Sequence, residues 1–150
     1  MRESQIKPRI TVITIGVDDL ERSLRFYRDG LGLRTDGIFG TEFEYGAVAF
    51  FDLQAGLKLA IWPRKSISLD TGLPLGSPSA TELTIGHNVS SKAEVDAVMA
   101  QAKSAGAVIV KPAQDTLGVV TRASFSIPMI SGRSRGIPSG QRKTKINRAV

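Results

Sequence analysis

Six residues of this chain have side chains suited to binding a small molecule, and each lies in a stretch with the pattern of a β-strand. They are Thr14, Phe51, Lys58, Trp62, Thr84 and His87. Hydroxyl, ammonium and imidazole groups hydrogen-bond the polar atoms of a ligand, and aromatic rings give it flat apolar walls. The sequence contains no phosphate-binding glycine loop, dinucleotide fingerprint, nucleophile elbow or zinc-binding histidine pair. We therefore predict a ligand site, but we assign no catalytic residue and no cofactor.

His87 is the only histidine of the chain, and two interpretations of it stay open. Strict alternation along a strand places it on the face opposite Thr84, where it would be a hydrogen-bonded residue behind the sheet. If Gly86 marks a β-bulge, His87 turns into the pocket instead and is a candidate base.

Two neighbouring strands carry the aromatic candidates. Lys58, Ala60 and Trp62 are alternate residues of one strand, so their side chains point to the same face of the sheet. If Lys58 lines a cavity, Trp62 lines it too. The alternative is that Lys58 is a solvated strand residue and Trp62 an ordinary core residue. Phe50 and Phe51 must point to opposite faces, so one belongs to the core and the other to the cavity, and our prediction assigns the cavity to Phe51.

The elements around these residues follow from hydrophobic periodicity. Residues 9–17 form an apolar, β-branched strand, Asp18 and Glu21 have the spacing of a capping box, and Gly30 and Gly32 end the helix that follows. The apolar stripe of this helix is Leu20, Leu24, Tyr27 and Leu31. Three further strands are predicted at 33–39, 43–53 and 57–63.

The same order restarts after a Pro-, Gly- and Ser-rich segment at 64–80. A strand at 81–89, a helix capped by Ser91 and Glu94, and a strand at 107–114 repeat the first half of the pattern. We interpret this as an internal duplication within one domain spanning 1–150. Its parts are a first module at 8–63, a linker at 64–80, the start of a second module at 81–116, and a tail at 117–150.

The stretches "ITIGVDDLERSLRFYRDGLGL" and "TIGHNVSSKAEVDAVMAQAKSAGAVIVKPAQ" resemble the vicinal oxygen chelate superfamily, which includes glyoxalases, bleomycin-resistance proteins and extradiol dioxygenases. The resemblance covers residues 8–116. It implies an α+β fold of paired βαβββ modules whose curled sheets form a cup around a small ligand, and it implies a homodimer. We therefore expect a protein that binds a small apolar or aromatic molecule.

The resemblance also implies where metal ligands would lie, and this chain departs from that pattern. The positions fall on Val12, Lys58 and Thr84, and the last one falls in the tail, which has no counterpart to it. An isopropyl group cannot bind a metal and an ammonium group repels one. We therefore expect no metal. The alternative function, a metal-dependent lyase or dioxygenase of the same superfamily, would need other ligands.

The tail at 117–150 does not resemble the rest of the family, so we expect the second module to be incomplete after about residue 117. One hypothesis is a frameshift near Thr116. Read one base over, permitted codons allow the Trp-Gly-Gly-Tyr strand that the resemblance implies, and the codons of Met129 and Ile130 force an aspartate. The alternative is a divergent terminus, and the nucleotide sequence of the gene distinguishes the two.

Charge and composition limit the remaining possibilities for the protein's function and cellular location. The net charge is +6, but all of the excess lies in residues 117–150, and the first 116 residues carry a net charge of −1. Nucleic-acid binding through this basic tail is therefore an alternative function, although only Phe125 is there to stack on bases. Without cysteine, a secretory signal or an apolar run long enough to span a membrane, we expect a cytoplasmic protein with no membrane partner.

Overall fold

Two four-stranded sheets with the same strand order form the framework of the protein. The computed structural model describes residues 8–78, 83–116, 120–127 and 142–148. The first sheet has the order β1-β4-β3-β2 and the second the order β5-β8-β7-β6. The strands are β1 (Val12–Val17), β2 (Ile38–Phe39), β3 (Val48–Asp52), β4 (Lys58–Pro63), β5 (Thr84–Val89), β6 (Val108–Thr116), β7 (Val120–Ile127) and β8 (Arg142–Arg148). The helices are α1 (Leu20–Arg25), α2 (Arg64–Thr71) and α3 (Lys92–Ser104).

The two halves of the chain share one topology. In each, the first strand pairs in parallel with the last, β1 with β4 and β5 with β8, and the remaining neighbours pair antiparallel. In each, a helix connects the first strand to the edge strand on the other side of the sheet. The predicted α+β fold of paired βαβββ modules is confirmed.

The second module differs from the sequence-based expectation in one respect. Two strands, β7 and β8, lie within the segment after residue 117 that we expected to lack them. The second sheet is nevertheless less regular than the first, because the register of β6 and β7 shifts twice between Ile109 and Gln114. The expected gap in this module also falls partly on 117–119 and 128–141, which lie outside the described residues.

Side chains cap the starts of α1 and α3. Ser91 and Glu94 form the predicted capping box of α3. The cap of α1 is Asp19 rather than Asp18, since Asp19 Oδ1 accepts a hydrogen bond from the Arg22 backbone N–H at 2.9 Å. The α1 helix continues as a single π-helical segment, Phe26–Gly30. Leu24 and Tyr27 of the predicted stripe are buried in the core.

The predicted linker contains a short helix that periodicity did not indicate. Helix α2 follows Pro63 directly and ends at Gly72, whose φ of 73° is the left-handed conformation that glycine adopts easily. It has no buried residue, so its sequence shows no apolar stripe. None of the helices in the described part of the chain is long and apolar enough to cross a membrane.

One hydrophobic core joins the two modules. Its members include Ile15, Phe51 and Ile61 from the first sheet, and Val95 and Met99 from α3. The modules also touch where the π-helical segment ends, because the Gln101 side-chain amide donates a hydrogen bond to the Gly30 carbonyl at 3.1 Å. A side chain at Gly30 would overlap the methyl group of Ala105, so the backbones approach closely at this point.

Candidate functional site

Alternation along the strands separates the first sheet into a core face and a face that no helix of the core covers. Ile15, Phe51 and Ile61 are at most 3% exposed and pack towards the helices. The residues of opposite parity form what we call the open face. They are Val12, Thr14, Gly16, Phe39, Val48, Phe50, Asp52, Lys58, Ala60 and Trp62.

The position of Phe51 corrects one predicted site residue. Its side chain is fully buried, and its ring lies 5.3 Å from that of Tyr27, centroid to centroid, on the helix side of the sheet. A ligand on the open face therefore meets Phe50 instead. The sequence required the two rings to point apart, but it could not say which of them faced the helix.

Two aromatic rings lie stacked on the open face. The centroids of Phe39 and Phe50 are 5.5 Å apart and their planes differ by 23°. Phe39 is 52% exposed although it sits on a strand, and Phe50 is half-buried. Ala60, directly opposite Phe50 in the β3–β4 ladder, is 1% exposed. A ligand at this part of the face would therefore contact the aromatic rings and not the strand β4 beneath Ala60.

Trp62 lies on the same face, two residues beyond Ala60 on β4. Its indole N–H donates a hydrogen bond to the Tyr45 carbonyl at 2.6 Å, and the side chain is half-buried. Tyr45 belongs to the loop before β3 and has a φ of 60°, a backbone conformation that residues other than glycine rarely adopt. The hydrogen bond between its phenol and Glu44 raises the pKa of Tyr45 above the ordinary value.

Lys58 occupies the other end of the face and is paired with a carboxylate. Its ammonium group contacts Asp52 Oδ1 across the β3–β4 ladder, and both side chains are about half exposed. The hydrogen bond and the positive charge of Lys58 lower the pKa of Asp52. Lys58 is thus a neutralised surface cation that still lies beside the aromatic residues.

The residues at the implied metal positions do not fit a metal ion. Val12 and Lys58 are direct partners in the β1–β4 ladder, so an isopropyl group and a paired ammonium group stand where two ligands would be needed. Within the described residues no group of three or more His, Cys, Asp or Glu side chains is arranged to hold a metal. We derive no metal chemistry for this face.

The remaining predicted site residues lie on two different sheets. Thr14 is exposed on the open face, next to Ala60 in the β1–β4 ladder. Thr84 and His87 lie on β5 of the second sheet, and His87 is exposed. The β5–β8 register runs without interruption through Gly86, so His87 shares the parity of Ile85 and Val89, which pack against the core. The bulge that would turn His87 into a pocket is not present.

Helix α2 covers one end of the open face. A side chain at Gly16 would meet Arg64 and Ile67, so the helix lies against β1 beside Trp62. Arg64 holds this arrangement through Asp18 at 3.2 Å and through the Gly76 carbonyl. The end of the face near Val12 and Lys58 is not covered in this way, and there Val12 is 43% exposed.

Another depression lies away from this face. A shallow groove of about 200 Å³ runs between α3 and β6. Its lining residues are Asp96, Met99, Ala100, Lys103, Ile109, Pro112 and Ala113. None of them belongs to the set predicted from the sequence.

Sequence reasoning did not identify Phe39, Tyr45 and Asp52 as site residues. Asp52 had a signal, because a hairpin through Gln54–Gly56 places it opposite Lys58. Phe39 had none, since its partner on β3 depends on the loop between β2 and β3. Tyr45 accepts the hydrogen bond of Trp62 through its backbone carbonyl, and a sequence pattern of side chains cannot predict such a contact.

Comparisons with known proteins agree with this architecture. The profile of the Glyoxalase/Bleomycin resistance protein/Dioxygenase superfamily matches residues 9–122. A glyoxalase-related enzyme from Fulvimarina pelagi superposes with a TM-score of 0.74 at 24% identity, over 95% of this chain and 89% of that one. A comparison with curated proteins gives no match.

Two further solved structures share the fold at lower identity. A lactoylglutathione lyase from Agrobacterium tumefaciens has a TM-score of 0.63 at 15% identity, covering 96% of each chain. A fosfomycin resistance protein from Listeria monocytogenes, complexed with Mn(II) and a dihydroxypropylphosphonic acid, has a TM-score of 0.61 at 18% identity, over 94% of this chain and 90% of that one. At these identities the likeness extends to the fold alone.

Proposed function

The chain belongs to the glyoxalase/bleomycin resistance protein/dioxygenase superfamily, and from this membership we propose that it binds a small apolar or aromatic molecule on the open face of its first sheet. The observation that carries the proposal is the stacked pair of Phe39 and Phe50 together with Trp62, three aromatic side chains that share one exposed sheet face. Aromatic residues left accessible in this way are typical of ligand sites.

Polar groups at the margin of the rings support the same function. The Thr14 hydroxyl is exposed next to Ala60, and the Lys58–Asp52 pair lies one ladder step beyond it. A few polar groups beside an apolar wall orient a ligand and give specificity. A paired ammonium and carboxylate can hydrogen-bond either an acceptor or a donor on the ligand.

The site we propose works by binding without a metal. An enzyme that uses a divalent ion needs oxygen or nitrogen donors facing the ligand. Val12 and Lys58 supply none, and the neighbouring carboxylate of Asp52 is already paired with Lys58.

The test is ligand-induced stabilisation of the full chain, with metals as the competing treatment. A compound that binds the folded state raises the melting temperature, and the rise grows with the logarithm of its concentration once that exceeds the Kd. We expect 2-naphthol to raise the melting temperature and Mn²⁺, Ni²⁺ or Zn²⁺ to leave it unchanged. Stabilisation by a metal alone would contradict the proposal.

A variant locates the binding. Phe50→Ala removes a ring of the open face and should abolish most of the shift, whereas Leu73→Ala removes an exposed apolar side chain from the segment after α2 and should not. An equal loss in both variants would place the binding elsewhere.

We propose further that the protein forms a homodimer. β1 and β2 are the edge strands of the first sheet, and each has one side that no other strand in the described part of the chain pairs with. An edge of this kind favours pairing with another chain. Light scattering coupled to size-exclusion chromatography would show about twice the monomer mass of 16.1 kDa, and a monomer at all concentrations would contradict the proposal.

A further inference from the structure

We propose that Tyr45 is a positioning residue that fixes the plane of the Trp62 ring, and that this makes the open face selective for planar aromatic molecules over saturated ones of the same size. The inference rests on the proposed function, because it concerns the ligand class of the same site. It goes beyond that function by naming the residue that sets the selectivity.

The indole of Trp62 is held at a single polar point. Its N–H is a donor only, and it meets the Tyr45 carbonyl at 2.6 Å, a short N–H···O hydrogen bond. The ring also lies beside the residues where α2 packs against β1. A half-buried tryptophan with a defined N–H partner has one preferred ring plane, whereas an aromatic ring without a polar handle can tilt.

The position of that carbonyl comes from the backbone of a constrained loop. Gly46 N–H donates to the Phe43 carbonyl and Phe43 N–H donates to the Gly40 carbonyl, each at 3.1 Å. Gly40 and Gly46 approach so closely that a side chain on either would overlap the other's backbone. This loop keeps Tyr45 at a φ of 60°, a conformation that a non-glycine residue holds only when its surroundings determine it.

The rings that share the face make its chemistry specific. Phe39 and Phe50 differ by only 23° in plane, and Ala60, which lies opposite Phe50 in the β3–β4 ladder, is buried. Trp62 is the diagonal neighbour of Phe50 across the β3–β4 ladder, so a ligand wider than one ring can reach both side chains. A planar aromatic molecule can stack on such a surface at several points, whereas a puckered saturated ring makes fewer close contacts.

The experiment measures the preference between two probes that share a carbon skeleton and a hydroxyl group. They are 2-naphthol and decahydro-2-naphthol, titrated calorimetrically into the full chain. We expect the wild type to bind 2-naphthol about tenfold more tightly, within the range that aromatic contacts add to burial. Trp62→Phe keeps a ring but removes the N–H donor, and it should reduce the preference to about twofold.

A matched pair of variants isolates the carbonyl of Tyr45. Both Tyr45→Gly and Tyr45→Pro remove the phenol, but glycine accepts a φ of 60° and proline cannot. Tyr45→Gly should keep the tenfold preference and Tyr45→Pro should lose it. Trp62 is the only tryptophan of the chain, so its fluorescence anisotropy reports the same event. It should fall in Tyr45→Pro and stay unchanged in Tyr45→Gly.

The outcomes separate this inference from the proposed function. If the wild type binds both probes equally, the inference is overturned and the proposed function stands. If it binds neither probe, the proposed function fails and the inference fails with it. A preference that survives in both Tyr45→Pro and Trp62→Phe also overturns the inference. Should Tyr45→Pro not fold, the comparison of Trp62→Phe with the wild type decides alone.

Discussion

At the scale of single residues, two adjacent phenylalanines divide their roles between structure and binding. Phe51 is fully buried against Tyr27, and Phe50 stacks on Phe39 on the open face. Successive side chains of a strand point to opposite faces of the sheet, so Phe50 and Phe51 have different surroundings although they are adjacent in sequence. The consequence is that loss of either ring should affect a different property of the protein.

Substituting each of these rings by alanine should separate folding from binding. Phe51→Ala leaves a cavity in the core and should lower the free energy of unfolding by about 3–5 kcal/mol. Phe50→Ala removes a half-buried ring and should lower it by about 1 kcal/mol while weakening 2-naphthol binding. Urea unfolding and calorimetry measure the two effects. Equal destabilisation by both variants would show that the faces are assigned wrongly.

The pair of Lys58 and Asp52 gives a prediction about pH. Lys58 lowers the pKa of Asp52, so the carboxylate favours the folded state above the unfolded pKa, and this contribution is lost as the pH falls through the folded pKa. Lys58→Met should therefore raise the pKa of Asp52 towards its ordinary value. Titration of the Asp52 carboxyl carbon by NMR, in the wild type and in Lys58→Met, measures the change. An unchanged pKa would mean that the pair does not persist in solution.

What the sequence can predict at this scale is limited by register. The parity of Lys58 and Trp62 was enough to place them on one face, as the structure has them. The same argument required Phe50 and Phe51 to face opposite ways, but our assignment of Phe51 to the cavity was wrong, because the face that the helix covers depends on tertiary packing. The carbonyl of Tyr45 belongs to a loop conformation, and hydrophobic patterns carry no information about it.

At the scale of elements, the ends of the two repeated helices meet. The π-helical segment that extends α1 ends at Gly30, which lies against Ala105 at the end of α3. A hydrogen bond from the Gln101 side chain to the Gly30 carbonyl joins the same two places. The modules approach closely at this junction, so it should be sensitive to the addition of a single methyl group.

Gly30→Ala tests that junction. Its methyl group would overlap that of Ala105, and overpacking of this kind costs about 1–3 kcal/mol, although alanine would otherwise favour a helical backbone. The double variant Gly30→Ala with Ala105→Gly should recover most of the loss in thermal unfolding. The control is Gly76→Ala, which meets open space and should change stability by less than about 0.5 kcal/mol. A failure of the second substitution to rescue would contradict the packing argument.

The elements were predictable to different degrees for identifiable reasons. The capping box at Ser91 and Glu94 fixed the start of α3, because a local hydrogen-bond pattern decides it. The strand predicted at 33–39 shrinks to Ile38–Phe39, since its pairing depends on where β3 lies. Helix α2 was missed because it buries no residue and so leaves no periodic pattern.

At the scale of the whole molecule, the repeated topology requires a last strand that closes each sheet. In the first module β4 lies between β1 and β3, and in the second β8 lies between β5 and β7. The duplication could be predicted from the sequence because each module begins with the same pattern of a strand, a capped helix and a second strand. The strands of the tail were not, because arginine, serine and glycine are rare in buried strands. The frameshift hypothesis is untested by the structure.

The tail therefore carries the last prediction. β8 is the only strand that pairs with β5 in the described part of the chain. Deleting residues 142–150 should leave the backbone amides of β5 without partners on that side, so they should lose protection from hydrogen–deuterium exchange. The amides of β4 should keep theirs, because the first sheet holds its own closing strand. Peptide-level exchange, read by mass spectrometry, compares the two strands in one sample. Protection of β5 that survives the deletion would mean that the second module does not depend on residues 142–150. The incomplete second module expected from the sequence would then describe the protein better than a four-stranded second sheet.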